Sequence, residues 1–104
     1  MKKIYISIPI TGLDEKRQRE KADRIKMSLS RDGWQPINPF DVYVGPDPAS
    51  RTYLGTDVRI IIDYADVIFM CDGWERSKGC QVEKFVAETY GKTVMYEPPT
   101  KDMR

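Results

Sequence analysis

The segment Asp66-Val67-Ile68-Phe69-Met70-Cys71-Asp72-Gly73-Trp74-Glu75-Arg76-Ser77-Lys78-Gly79 decides the fold. After Asp66 its first half is apolar without alternation. A strand reads this way when both of its faces are covered; a half-wet strand alternates. Residues 72–76 form a polar loop. Ser77 is a natural N-cap for a helix over 77–90 that Gly91 stops. Within that helix Val82 and Val86 mark the expected core face, with Glu83 and Ala87 turned away from it.

The rest of the chain repeats the alternation. Ile4-Tyr5-Ile6-Ser7-Ile8 is β-branched and aromatic and is bounded by Pro9 and Gly12, so it reads as a first strand and a turn. Residues 14–32 read as a helix, with Gln18, Ala22, Ile25 and Leu29 at helical spacing and Gly33 just past the end. Residues 34–38 form a short second strand that Pro39 stops. No period is visible over 40–56, which holds Gly45, Pro46, Pro48 and Gly55. A loop this long serves as a lid or binding loop, or is a disordered insertion, and a short helical turn over 49–54 fits inside it. Residues 57–64 read as a helix capped by Thr56 or Asp57. Residues 93–96 make a fourth strand, and Pro98-Pro99 begins a tail.

This order of strands and helices predicts one α/β domain over 1–97 with a tail over 98–104. The expected architecture is a three-layer, Rossmann- or flavodoxin-like parallel sheet of four or five strands, ordered 2-1-3-4. In such a sheet the first and third strands are neighbours whose connections leave in opposite directions. The crevice at their carboxyl ends is the usual ligand site.

Composition narrows the chemistry. The chain has 104 residues, with 17 Lys and Arg against 16 Asp and Glu, and no His. A net charge of +1 gives no electrostatic case for a nucleic acid polymer or an anionic membrane. Without His there is no Ser-His or Cys-His pair, and acid–base work falls to Asp, Glu, Tyr, Lys or Cys. Cys71 and Cys80 lack metal-site spacing, and Cys71 ends an apolar run as a buried residue would. No metal and no cofactor is expected. The apolar stretch near the start is too short for a signal peptide or a membrane span, so a cytoplasmic protein is expected.

Three loops converge on the crevice. Pro9, Thr11 and Gly12 lie after the first strand. Ser77, Lys78 and Gly79 combine a hydroxyl, a cation and free backbone N–H groups at a helix start, which favours an anion such as phosphate; an ordinary capped helix looks the same. Glu83 lies six residues after Ser77, within reach of a ligand anchored there, and by spacing alone resembles a solvated helix residue. Asp72 and Glu75 sit where the third strand ends. Tyr5 is placed either to hydrogen-bond a carboxylate or to fill the core. Trp74 offers a stacking surface or covers the strand end.

These residues carry a resemblance. Tyr5-Ile6-Ser7-Ile8-Pro9-Ile10-Thr11-Gly12 is similar to the Y-I-S-G-P-I-T-G opening of a family of short bacterial and phage proteins of unknown function. Residues 71–83 resemble its second signature, G-W-E-x-S-x-G followed by a glutamate. That family is similar in turn to the nucleoside 2-deoxyribosyltransferases and the 2′-deoxynucleoside 5′-phosphate N-hydrolases.

The resemblance implies roles. Glu83 matches the glutamate that attacks the anomeric carbon, and Tyr5 a tyrosine that positions it. Asp57 matches an aspartate that assists the leaving base. Ser77 matches a serine of the enzymes that handle phosphorylated substrates, which implies a nucleoside 5′-monophosphate. Asp72 and Glu75 are further candidates for base or sugar contacts, and the catalytic acid that protonates the departing base is either Asp57 or Asp72. The implied activity is N-glycosidic cleavage or transfer, and the implied partners are a small-molecule nucleotide or nucleoside and, as a homo-oligomer of two or more copies, the chain itself. Two positions depart from the pattern. Ile8 stands where the family has glycine, narrowing the site, and Asp57 lies nine residues before Asp66, one more than in the hydrolases. The rival readings are a nucleotide-binding module without turnover and a structural remnant.

Overall fold

A computed structural model describes residues 2–42 and 50–98, and of residues 50–56 the backbone alone. In chain order the elements are β1 (Lys3–Ser7), α1 (Glu15–Arg31), β2 (Gln35–Ile37), α2 (Pro39–Val42), α3 (Ser50–Asp63), β3 (Val67–Met70), a 3-10 turn (Trp74–Arg76), α4 (Lys78–Thr89) and β4 (Thr93–Tyr96). The strands form one four-stranded sheet in the order β2-β1-β3-β4, every pair parallel. Tyr5 stands opposite Ile37 on one side and Ile68 on the other, and Ser7 stands opposite Met70. The expected α/β architecture and the 2-1-3-4 order are therefore observed, with four strands. Pro36 sits in β2, an edge strand, where its missing N–H costs no ladder bond.

Successive residues of β1 point to opposite faces, so the strand feeds two different cores. Ile4, Ile6 and Ile8 pack with Ala22 and Leu29 of α1, Phe40 of α2, and Val67 and Phe69 of β3. Tyr5 joins Ile61 and Ala65 beside α3, Ile68 and Met70 of β3, and Cys80 and Ala87 of α4. The first cluster is wholly apolar. The second shares its face with Ser7, Asp57 and Glu83, all buried.

The helix ends follow the sequence. Asp14 caps α1 by accepting from the Arg17 N–H at 3.2 Å, and Gly33 takes φ +92 just beyond α1, a conformation that disfavours any Cβ. Ser77 caps α4, its Oγ accepting from the Cys80 N–H at 3.2 Å.

Two expectations fail. The helix expected over 57–64 begins at Ser50, so neither Asp57 nor Thr56 caps it, and Asp57 lies inside it. Gly55 does not break it; an interior glycine costs a helix about 1 kcal/mol, which packing against the sheet offsets. The short turn expected over 49–54 is, from Ser50 on, the first part of this helix. On α4 the buried stripe is Cys80, Glu83 and Ala87, while Val82 is 41% exposed and Val86 only partly buried. Glu83 occupies a core position, so apolarity alone misplaces the buried face. Residues 43–49 of the expected loop and 99–104 of the expected tail lie outside the described residues. Among the described residues no helix is long and apolar enough to cross a membrane.

Candidate active site

The connections that leave the carboxyl ends of the first and third strands part there, and a cavity of about 690 Å³ opens between them. Its floor is Tyr5, Asp57 and Glu83, and its anion-friendly wall is Arg76, Ser77, Lys78 and Gly79. Ile8, Ile10, Thr11, Pro39, Cys80 and Val82 complete the lining. A volume of this size suits a small molecule.

Glu83 is 5% exposed and makes two hydrogen bonds to β1. Ser7 Oγ donates to Oε1 at 2.7 Å, and Tyr5 Oη donates to Oε2 at 3.1 Å. Alternate residues of one strand thus present two hydroxyls side by side to one carboxylate. Asp57, 3% exposed, comes from α3. Its Oδ1 is buried and has no hydrogen-bond partner among the described residues. A buried acceptor left unpaired is costly.

Burial dominates the electrostatics. It pushes the Glu83 carboxyl well above the ordinary value, and the neighbouring Asp57 charge pushes it further. Burial also raises Asp57, with contacts to Glu83 and Tyr5 opposing. Two carboxyls that repel in a poorly solvated site hold their protons more tightly than free carboxyls do. Tyr5 is driven well above the usual phenol range by burial and then by Glu83 and Asp57, so it remains a proton donor. Burial raises the Cys71 thiol strongly and pushes Cys80 up to about 11, which keeps both in the protonated form at neutral pH.

At the other end of the cavity, the first N–H groups of α4 have no acceptor within the helix. Arg76 and Lys78 flank them. Together with the helix dipole they make this wall attractive to an anion. Among the described residues no cluster of three or more Cys, Asp or Glu side chains is placed to hold a metal ion.

The sequence-derived candidates divide. Tyr5, Asp57, Glu83, Ser77, Lys78, Gly79 and Thr11 all line the cavity. Asp72, Trp74, Glu75, Pro9 and Gly12 do not. Asp72 is exposed, and its N–H donates to Glu97 Oε1 at 2.7 Å. Glu75 is exposed, and its carbonyl accepts from the Gln81 side chain. Trp74 is engaged elsewhere: its ring lies 5.8 Å from Tyr96 and carries the Lys84 ammonium at 5.4 Å. Pro9 is buried, its carbonyl accepting from Gln18 Nε2 at 2.7 Å, and Gly12 supplies a turn at φ +81.

Sequence reasoning missed Ser7 and Arg76. Ser7 had a signal, a hydroxyl inside an otherwise apolar buried strand two residues from Tyr5. Arg76 had one too, as a second cation beside the capping serine.

No curated protein matches the chain. Among solved structures it is similar to a CMP N-glycosidase from Clostridium botulinum, BcmB, with 21% identity and a TM-score of 0.58. The likeness covers 91% of this chain and 67% of the other, and at that identity it speaks for the fold. A family profile matches residues 2–96, which hold the whole sheet and every cavity residue named above. The chain belongs to that family, which is described as a domain of unknown function (DUF4406).

Proposed function

We propose that this protein cleaves or transfers the N-glycosidic bond of a nucleoside 5′-monophosphate, with Glu83 as nucleophile. The observation that carries the reading is the buried Glu83 carboxylate, held by Tyr5 and Ser7 in the cavity whose far wall is the start of α4. The phosphate rests against Ser77, Lys78, Gly79 and Arg76. That remote anchor orients the sugar over the carboxyl pair.

The carboxyl pair supplies the two-carboxylate chemistry of retaining glycosidases. In the reactive state the shared proton sits on Asp57 and Glu83 is ionised. A Glu83 oxygen bonds to C1′ as the C1′–N bond breaks, its electron pair leaving with the base, and Asp57 delivers its proton to the base nitrogen. Asp57, now a carboxylate, takes a proton from water as the water oxygen bonds to C1′. The ester C1′–O bond breaks and its electrons return to Glu83. The sum is nucleotide plus water to free base plus sugar phosphate; a second base in place of water gives transfer. The likeness to a structure named as a CMP N-glycosidase supports this reading.

Incubation with ribo- and deoxyribonucleoside monophosphates, CMP and dCMP included, is expected to release free base, and Glu83→Gln to release none. A panel without free base, or a Glu83→Gln variant as active as the parent, contradicts the reading.

A second reading is favoured by Ile8, whose side chain lines the cavity where the family pattern has glycine. It is nucleotide binding without turnover. Thermal stabilisation by nucleotides with no base release would select it. The proposal extends to self-association: Val82, at the cavity rim, and Phe85, 68% exposed, lie on one face of α4. Light scattering is expected to give a multiple of the monomer mass, and a strict monomer contradicts this.

A further inference from the structure

The two hydrogen bonds to Glu83 are unequal, and so are the residues that make them. Ser7 Oγ lies 2.7 Å from Oε1, and Tyr5 Oη lies 3.1 Å from Oε2. Tyr5 lines the cavity, and Ser7 does not. Ser7 is wholly buried in β1 opposite Met70, so a ligand in the cavity feels it through the lining residues it touches, Glu83 at 2.7 Å and Cys80. Oε1 is thus held by a residue outside the cavity lining, and Oε2 by a residue within it.

We propose that Ser7 is a positioning residue that fixes which oxygen of Glu83 reacts: its hydroxyl fastens Oε1 to the sheet and leaves Oε2 to form the bond to the anomeric carbon. This rests on the glycosyl reading above. A hydroxyl 2.7 Å from a carboxylate oxygen is in the range of strong charge-assisted bonds. It lowers the basicity of the oxygen it holds and stops the carboxylate from rotating. The longer bond to Oε2 costs that oxygen less of its nucleophilicity. Glu83 then meets C1′ in one orientation with no rotational search, which is how positioning converts to rate.

The groups facing Glu83 are Tyr5 of β1, Asp57 of α3, Cys71 beyond β3 and Cys80 of its own helix. Ser7 and Tyr5 are the two side chains bonded to its oxygens whose donated proton favours the ionised form.

The test combines carbon-13 NMR titration of glutamate-labelled protein with base-release kinetics on the nucleoside monophosphate panel. Four proteins are compared: the parent, Ser7→Ala, Ser7→Cys and Tyr5→Phe. Ser7→Ala is expected to raise the Glu83 titration midpoint by ~1 pH unit or more, tenfold in ionisation constant. It is also expected to lower kcat by about 10–100-fold with KM nearly unchanged. Ser7→Cys keeps the volume with a weaker donor, so its shift has the same sign and is smaller. Tyr5→Phe is expected to move the midpoint less than Ser7→Ala. A purely structural role for Ser7 would lower stability and leave the midpoint in place. An active parent whose Ser7→Ala and Ser7→Cys forms keep its midpoint or its kcat overturns the inference alone, as does a Tyr5→Phe shift larger than that of Ser7→Ala. A parent that releases no base removes the glycosyl reading and the inference with it.

Discussion

The two faces of the sheet are built from the same strands and do different work. On the α1 face, Ile4 and Ile6 of β1 and Ile8 just beyond it meet Ala22, Leu29 and Phe40 in an apolar cluster. On the opposite face the intervening residues, Tyr5 and Ser7, meet Glu83 of α4. One residue of register separates the faces, so β1 cannot slip without exchanging them. The first face contributes stability in the ordinary way, each buried aliphatic side chain worth roughly 1.5–3 kcal/mol. The second gives up some of that for two carboxyls held away from water. A carboxyl pair there makes sense as chemistry and poor sense as packing.

The largest expected effect that would break this contrast is on activity. Glu83→Gln should lower kcat by about 10³-fold or more, since it removes the attacking oxygen's charge. Ile6→Ala, one position along the strand and on the opposite face, should cost about 2–5 kcal/mol of stability. Melting should fall by roughly 10 °C or more, while the folded fraction keeps its activity. If Ile6→Ala abolished turnover in folded protein, or Glu83→Gln left it intact, the two faces would not be functionally distinct.

A smaller effect sharpens the same contrast through pH. Glu83 and Asp57 both have carboxyls raised above their ordinary values of 4.5 and 3.8. For a raised acid, the folded state binds the proton more tightly than the unfolded state. Its stabilising contribution is full below the unfolded value and is lost as pH rises through the folded one. Glu83→Gln removes the carboxyl whose ionisation burial opposes most, and its amide can donate to the unpaired Asp57 Oδ1. The variant should therefore melt above the parent by about 1 kcal/mol equivalent at neutral pH, with a gap that widens from pH 5 to pH 8. Calorimetry across that range checks it; a constant or reversed gap would contradict the assignment. In the reaction itself, turnover should follow a bell in pH, because it needs one proton on the pair and not two or none.

The smallest effect lies at the anion wall. Ser77→Ala removes the α4 cap and should cost ~1 kcal/mol of stability. On the glycosyl reading it also weakens substrate binding, raising KM more than it lowers kcat. An unchanged KM would place the phosphate elsewhere.

Most of the fold was legible because apolar strands and capped helices carry local signals. Val67 to Met70, with no polar residue, announced a strand covered on both faces, and Ser77 and Gly91 marked the ends of α4. What was not legible had a physical cause each time. The start of α3 was hidden by Gly55, which local propensity reads as a breaker and tertiary packing overrides. The buried face of α4 was misread because its central member is a glutamate, and a period counted on apolar residues skips it. Position along the chain makes Glu83 and Tyr5 candidates, but their roles and that of Asp57 come only through the resemblance; spacing alone leaves Glu83 as a surface residue. Ser7 was overlooked because its contribution exists only once β1 and α4, 76 positions apart between Ser7 and Glu83, pack together.

The central claim is that the Glu83 carboxylate and the anion wall of α4 serve one ligand. A crystal structure of the Glu83→Gln variant soaked with a nucleoside 5′-monophosphate tests it most directly. The phosphate is expected on the N–H groups and hydroxyl of Ser77 to Gly79, with C1′ facing the side-chain atom of residue 83 that lies toward Tyr5. A nucleotide bound outside this cavity, or bound within it with its anomeric carbon turned away from residue 83, would contradict it.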